Sequence, residues 1–296
     1  VHLFEKVIDS SDMNPRHWIT MAEVIEREYE HYDGFVVLHG SDTMSYSASA
    51  LSFMLQGLTK PVIFTGSQLP IGDLRTDAKE NLITSIQLAA LKENGVSVIQ
   101  EVGLYFEYKL YRGNRTTKIN AEQFRADERP FEPPNYPILV ESGVHLKVMK
   151  ENLLPHPVGE KLEVWKEFDT NVAIIKMFPG ITSQFLEGVF AIEGLKAVVL
   201  ETYGSGNAPT NEDFLKALEG AIGRGIHIVN VTQCSGGSVI MGKYEASEGL
   251  RKMGIIDGKD ITSESAITKL MILLSKNISS KTLKIKFEES MVGEIS

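Results

Sequence analysis

Apolar residues along this chain follow two alternating rhythms. Short unbroken runs end abruptly in glycine and small polar residues, and between them apolar residues recur every three or four positions. The first rhythm predicts strands buried on both faces, the second predicts helices, and their alternation predicts an α/β fold. Phe35 to Leu38 is such a run; it stops in His39-Gly40-Ser41-Asp42-Thr43-Met44, and Thr43 to Leu58 reads as the helix that follows. Ahead of it, Asn14 and Pro15 signal a helix start, with Asn14 as cap and Pro15 at the first helical position. Trp18, Met21, Ala22, Ile25 and Tyr29 give that helix its apolar face. Val1 to Ile8 reads as a strand approaching a loop. Beyond the central run the rhythm continues with a strand at Pro61 to Thr65, a helix at Asp77 to Leu91 and a strand at Val98 to Phe106.

From 119 to 170 the pattern weakens. Arg129 to Pro137 is interrupted by proline too often for regular structure, and a short strand pattern follows near Val144 to Met149. Leu154 to Gly159 reads as the opening of a linker, and a second apolar rhythm begins at Asn171. It predicts strands at Val172 to Met177, Ala197 to Thr202 and Ile226 to Thr232, and helices at Glu212 to Gly223 and Thr262 to Leu274. The expected organisation is therefore a larger N-terminal domain over 1–153, a linker over 154–170 and a smaller C-terminal α/β domain over 171–296. The larger domain is expected to carry a parallel sheet with helices on both faces.

Composition narrows the function classes. The chain has 296 residues, 43% of them hydrophobic, enough for two sizeable cores. A net charge of -9 and the lack of a Lys/Arg stripe argue against a nucleic-acid surface. No apolar run approaches the ~20 residues of a membrane helix, and no signal-peptide core is seen. The single cysteine, Cys234, cannot form an internal disulfide, which is compatible with a reducing compartment.

Candidate chemistry gathers where strands end. Ser41 and Asp42 fall in a strand-to-helix turn, where an open α/β sheet binds ligands, although either residue could simply cap the helix. Asp9-Ser10-Ser11-Asp12 is rich in oxygen donors and acceptors, which by itself reads as an ordinary turn. Gly66-Ser67-Gln68 ends the second strand as Gly40-Ser41-Asp42 ends the first. The run from Arg112 to Lys118 is by default a solvated basic face. Asn207 sits in a glycine-flanked turn. The seven histidines show no helical metal-ligand spacing, and Gly204-Ser205-Gly206 lacks the third glycine and helix start of a phosphate loop. His39, at the end of a buried strand, reads as structural.

His39 to Met44 followed by Ser47 to Leu55, together with Ile8 to Met13, Phe64 to Pro70, Tyr111 to Lys118 and Tyr203 to Pro209, resembles the L-asparaginases, specifically their cytosolic bacterial type I branch. The resemblance implies hydrolysis of L-asparagine to L-aspartate and ammonia through an acyl-enzyme on a threonine, with no cofactor. It implies that Ser41, Asp42 and Lys118 form a second triad and that Asp9, Ser10 and Ser11, with Asp42 at the ammonium, hold the amino acid. It also implies that the Ser67 backbone meets the substrate amide, and that Asn207 is lent across a dimer within a cytoplasmic homotetramer. Two departures stand out. Serine occupies position 41 where the family has threonine, and the first family motif, of the type Thr-Gly-Gly-Thr-Ile, occurs nowhere in these residues. Either it lies upstream of Val1 or the chain is a truncated product. Cys234 and Thr117 match positions near an allosteric pocket of one type I group, but Glu201 replaces an arginine found there. The alternatives are an ammonia-supplying amidotransferase subunit and a non-catalytic amino-acid-binding protein.

Overall fold

The computed structural model describes residues 1–4, 6–121, 130–155, 161–242 and 245–296, with the backbone alone for 245–247. The chain divides into two compact units, Val1–Lys166 and Glu167–Ser296.

The first unit is built on a six-stranded sheet: β1 (Phe35–Leu38), β2 (Val62–Thr65), β3 (Val102–Phe106), β4 (Lys109–Arg112), β5 (Val140–Ser142) and β6 (Leu146–Val148), in that spatial order. β1, β2 and β3 run parallel, with Leu38 opposite Thr65 and Phe64 opposite Leu104. The remaining strands are antiparallel. The reversal occurs at Glu107 and Tyr108, which take left-handed φ values of 43° and 70°. A parallel core is thus extended by a meander.

Three helices flank this sheet: α1 (Pro15–Glu28), α2 (Met44–Met54) and α3 (Ala78–Ala89). α1 starts where the Asn-Pro signal puts it, Asn14 accepting a hydrogen bond from the Arg16 N–H at 3.1 Å. Trp18, Met21, Ala22, Ile25 and Tyr29 are all buried. α2 has no charged residue, and every residue in it except Tyr46 is buried. α3 packs Leu88 and Ala89 in one cluster with Ile63, Tyr105 and Leu110, whereas Ala48 of α2 lies near Gly113 and the Val102 side chain. Val102 and Tyr105 point to opposite faces of β3, so α2 and α3 cover opposite faces of the sheet. Both crossovers step one strand in the same direction. They therefore have opposite hands, and one is left-handed, against a strong general preference.

Several elements differ from the sequence expectation. Among the described residues of Val1 to Ile8 there is no strand; Val1, Leu3 and Val7 are exposed, and no neighbouring strand pairs with them. The helix expected to reach Leu58 stops at Met54, because Leu55–Gln56 pairs with Glu163–Val164 and Gly57 turns the chain at φ 67°. β3 starts at Val102 rather than Val98. Between the prolines thought to forbid regular structure, Phe131–Glu132 pairs with Thr117–Lys118. Arg129 and most of the expected linker opening, from His156 to Gly159, lie outside the described residues.

The second unit is a four-stranded parallel sheet, β7 (Val172–Lys176), β8 (Ala197–Thr202), β9 (His227–Thr232) and β10 (Ile256–Asp257), in sequential order. Its helices are α4 (Ser183–Phe190), α5 (Glu212–Gly223), α6 (Glu245–Lys252), α7 (Ser263–Ser275) and α8 (Ser280–Glu288). Leu186, Phe190, Phe214 and Leu218 close one face over Val198, Leu200 and Ile228. Within this unit Lys269 of α7 is fully buried. Its ammonium donates to the carbonyls of Phe287 and Glu289, each at 2.7 Å, and to the equally buried Glu294 carboxylate. Burial pushes the Lys269 pKa down while Glu294 opposes that shift. No helix among the described residues is long and apolar enough to cross a membrane.

Candidate active site

The site grows from the carboxyl ends of β1 and β2. After Leu38 the chain leaves the sheet through His39 and Gly40 into a single 3-10 turn, Ser41–Thr43, before α2 begins. No side chain in this turn caps its own helix. Capping, the simpler reading of Ser41 and Asp42, is thereby replaced by contacts to distant residues. The Lys118 ammonium donates to Ser41 Oγ at 3.0 Å and to Asp42 Oδ1 at 2.6 Å. Lys118 is carried there by the short strand Thr117–Lys118, which follows the buried turn Gly113–Arg115. Its side chain is only 17% exposed, so the solvated basic face expected by default does not describe it.

The Asp9–Asp12 segment is locked to the same turn. Asp9 Oδ1 accepts from the Ser11 N–H at 2.9 Å and from the Ser11 hydroxyl at 2.8 Å, and the backbone bond, the larger cause, lowers the Asp9 pKa. The Thr43 hydroxyl donates to the Ser10 carbonyl at 2.7 Å. Gly40 allows this approach: a Cβ there would sit 2.6 Å from Ser10 Oγ and 2.8 Å from Ser10 Cβ. The result is a hydroxyl- and carboxylate-rich loop packed against the turn that carries Ser41.

His39 supports the turn from beneath, as expected of a structural residue. It is 8% exposed, with Nδ1 2.6 Å from the Gly40 carbonyl and Nε2 2.8 Å from Ser47 Oγ, which also accepts from the Trp18 indole N–H at 2.8 Å. The Gly40 carbonyl needs an N–H partner, so the proton belongs on Nδ1 and Ser47 donates to Nε2. Burial is the main cause that lowers the His39 pKa, and the Gly40 carbonyl opposes it.

Ser67 leaves β2 beside these groups, because Thr65 pairs with Leu38 and a Cβ at Gly66 would lie 2.2 Å from the His39 carbonyl. Its loop is held by residues that sequence reasoning missed. Asp77 accepts from the N–H groups of Gln68 and Leu69, and Asn81 donates to the Gly66 carbonyl. Asp77 reads as an ordinary helix cap in the sequence, and a buried asparagine on a helix gives no pattern signal at all. Asn207 belongs to the second unit, where Tyr203 and Asn207 bridge in a tight turn and Gly204 and Gly206 have left-handed φ. Cys234 is exposed in that unit, and Glu201 accepts from the Ser263 hydroxyl at 2.6 Å. Among the described residues no cluster of three or more His, Cys, Asp or Glu could hold a metal ion.

Comparison with known proteins places these features in a family. The "Asparaginase, N-terminal" family model matches residues 3–153, and the "Glutaminase/Asparaginase C-terminal domain" model matches residues 171–287. The chain is 43% identical over 296 residues to L-asparaginase 1 of Escherichia coli strain K12, covering 100% of this chain and 84% of that one. It is 32% identical over 292 residues to a glutamyl-tRNA(Gln) amidotransferase subunit of Thermococcus kodakarensis, covering 98% of this chain and 65% of the relative. Among solved structures, L-asparaginase I from Vibrio cholerae aligns with a TM-score of 0.90 at 40% identity, covering 100% of this chain and 86% of that one.

Proposed function

We propose, for a chain that belongs to the asparaginase family, that it is an amidohydrolase converting L-asparagine and water to L-aspartate and ammonia. The observation that carries this reading is the Lys118 ammonium 3.0 Å from Ser41 Oγ and 2.6 Å from Asp42 Oδ1. A hydroxyl is a weak proton carrier until a group that can exchange its proton lies within hydrogen-bond reach, and here a lysine held by a carboxylate lies beside one.

In the proposed reaction a threonine hydroxyl attacks the side-chain amide carbonyl. The tetrahedral intermediate expels ammonia and leaves an ester; water then cleaves the ester, releasing aspartate and restoring the hydroxyl. The attacking threonine belongs to the first family motif, which these 296 residues do not contain. Ser41 with Lys118 relays protons to the leaving nitrogen and from the attacking water, and Asp42 holds the lysine. Backbone N–H groups around Gly40 to Asp42 face the developing oxyanion. Asp9, Ser10 and Ser11 hold the α-ammonium and α-carboxylate, a role that suits a loop rich in hydroxyls and carrying a carboxylate that stays charged. The Ser67 backbone meets the amide end. Asn207 completes a neighbouring subunit's site in a homotetramer working in the cytoplasm. Higher identity to an L-asparaginase than to the amidotransferase relative favours free asparagine as substrate.

Ammonia release from L-asparagine and L-glutamine by the full-length protein tests the reading, with Lys118→Ala beside the parent. Asparagine-selective release that collapses in Lys118→Ala is the expected result. A folded protein that holds asparagine without releasing ammonia would overturn it and leave an amino-acid-binding protein.

A further inference from the structure

At the start of α3, Asp77 already has helical backbone angles, φ -79° and ψ -13°, and its carboxylate makes no capping bond to the helix. That task passes to Thr76, whose hydroxyl accepts from the Ala78 N–H at 3.0 Å. The Asp77 carboxylate instead turns back to the loop that follows β2. It accepts the Gln68 N–H on both oxygens at 3.1 Å and the Leu69 N–H at 3.3 Å. The Thr76 hydroxyl donates to the Leu69 carbonyl at 3.0 Å. One turn further on, the fully buried Asn81 donates to the Gly66 carbonyl at 2.9 Å and to Asp77 Oδ2 at 3.0 Å. Its own Oδ1 accepts the Glu107 N–H at 3.1 Å, at the turn where β3 reverses into β4. Two carbonyls and two N–H groups of Gly66–Leu69 are thus fixed by three side chains from the start of one helix.

With the cap supplied by Thr76, the Asp77 carboxylate is available to the loop. Fixing four backbone groups in four consecutive residues holds the peptide planes on either side of Ser67. These lie at the carboxyl end of β2, directly beside the β1 turn that carries Ser41 and Asp42. We propose that Asp77 and Asn81 are positioning residues that hold the Gly66–Leu69 backbone against the substrate's carboxamide end. The inference rests on the amidohydrolase reading. The α-ammonium and α-carboxylate are assigned to a different loop, Asp9–Ser11, which is tied to Thr43 and not to Asp77. Loosening the clamp therefore disturbs the amide end alone.

Asp77→Asn has nearly the same shape but places an NH2 where the Gln68, Leu69 and Asn81 donors converge. Asn81→Ser removes both amide donors. Each is compared with the parent in thermal unfolding, in kcat/KM for ammonia release from L-asparagine, and in affinity for L-aspartate, which keeps the α groups and lacks the amide nitrogen. The expected result is a loss of about tenfold to a hundredfold in kcat/KM, the effect of misplacing a reacting group by a fraction of an ångström to one ångström, with L-aspartate affinity unchanged. A kcat/KM that stays at the parent value, or an equal loss in both quantities, overturns the proposal. If Asp77→Asn does not fold, Thr76→Val, which removes one hydroxyl, carries the same comparison. If the full-length parent itself releases no ammonia, the amidohydrolase reading fails. The clamp is then judged on the ratio of L-asparagine to L-aspartate affinity, and a ratio unchanged by the substitutions overturns it.

Discussion

Replacing Gly40 with alanine isolates the contact between the Asp9–Asp12 loop and the Ser41 turn. Gly40 has φ -67° and ψ 148°, a conformation open to any residue, so the added methyl brings no backbone strain. What it meets is Ser10, with Oγ at 2.6 Å and Cβ at 2.8 Å. The hydroxyl can rotate away, but the Ser10 Cβ cannot. Carbon atoms rest about 3.5–4.0 Å apart, so Ser10 must retreat by roughly 0.7–1.2 Å. Retreat stretches the Thr43 hydroxyl's 2.7 Å bond to the Ser10 carbonyl and carries Asp9 and Ser11 with it. A displacement of about 1 Å in a substrate-positioning group costs on the order of 100-fold. The assay is steady-state ammonia release from L-asparagine, with thermal unfolding of the same samples. We expect kcat/KM to fall about 100-fold. Gly188→Ala, inside α4 with open space around it, serves as control and leaves turnover unchanged. Turnover of Gly40→Ala within about twofold of the parent, far short of that loss, would refute the claim that this loop must sit against the turn.

Other expectations concern the Ser41–Lys118 pair and two buried groups. Lys118→Ala should abolish most ammonia release with little change in thermal stability, and Ser41→Thr should raise it, because a γ-methyl restricts χ1 and holds the hydroxyl toward the lysine; a lower rate in Ser41→Thr would contradict that account. Lys269→Met leaves the buried Glu294 carboxylate without its cation, though still accepting from the Met291 and Val292 N–H groups, and should cost about 3–5 kcal/mol in denaturant unfolding. Lys269→Met combined with Glu294→Gln should recover part of that loss, and an additive double variant would argue against the pairing. His39 is held neutral by burial, so its folded pKa lies below that of the unfolded chain. Its contribution to stability is present above about pH 6.5 and is lost as pH falls through the lower folded value. Unfolding midpoints measured from about pH 7 to pH 5 should therefore decline. His227 shifts in the same direction, so His39→Gln should remove only part of the slope, and an unchanged slope would exclude His39 as a source.

The sequence made the strand ends legible because β1, β2, β8 and β9 are short apolar runs with clear polar stops. The Asn14-Pro15 start of α1 is equally plain, since both residues act within one turn. Motif resemblance brought Lys118 to Ser41 and Asp42, which local pattern alone would have left on the surface. What stayed hidden depends on partners remote in sequence. The buried face of α3 carries Asn81, Thr84 and Ser85 beside Leu88 and Ala89, with Ile83 and Ile86 on the exposed side, so its hydrophobic pattern marks that face poorly. α8 places Leu283, Ile285 and Phe287 at alternate positions like a strand, although only Leu283 and Phe287 are buried. The meander from β4 to β6 is set by a left-handed turn at Glu107 and Tyr108, residue types with no strong preference for it. The Asp77 clamp was invisible for a related reason, because an aspartate before a helix already has an explanation.

Asp42 and Lys118 meet across 76 residues of chain. Closing a loop of that length costs about 4 kcal/mol of chain entropy before any contact offsets it, so the pair forms only once the three parallel strands and the first reversal are in place. During synthesis or refolding, chains that have built α1, β1 and α2 hold a serine and an aspartate but no ammonium between them. The lysine arrives only with a long-range contact of the first unit. Recovery of turnover after denaturation should then lag behind recovery of helical signal, and the Lys118 pair serves as a built-in clock for the completion of folding.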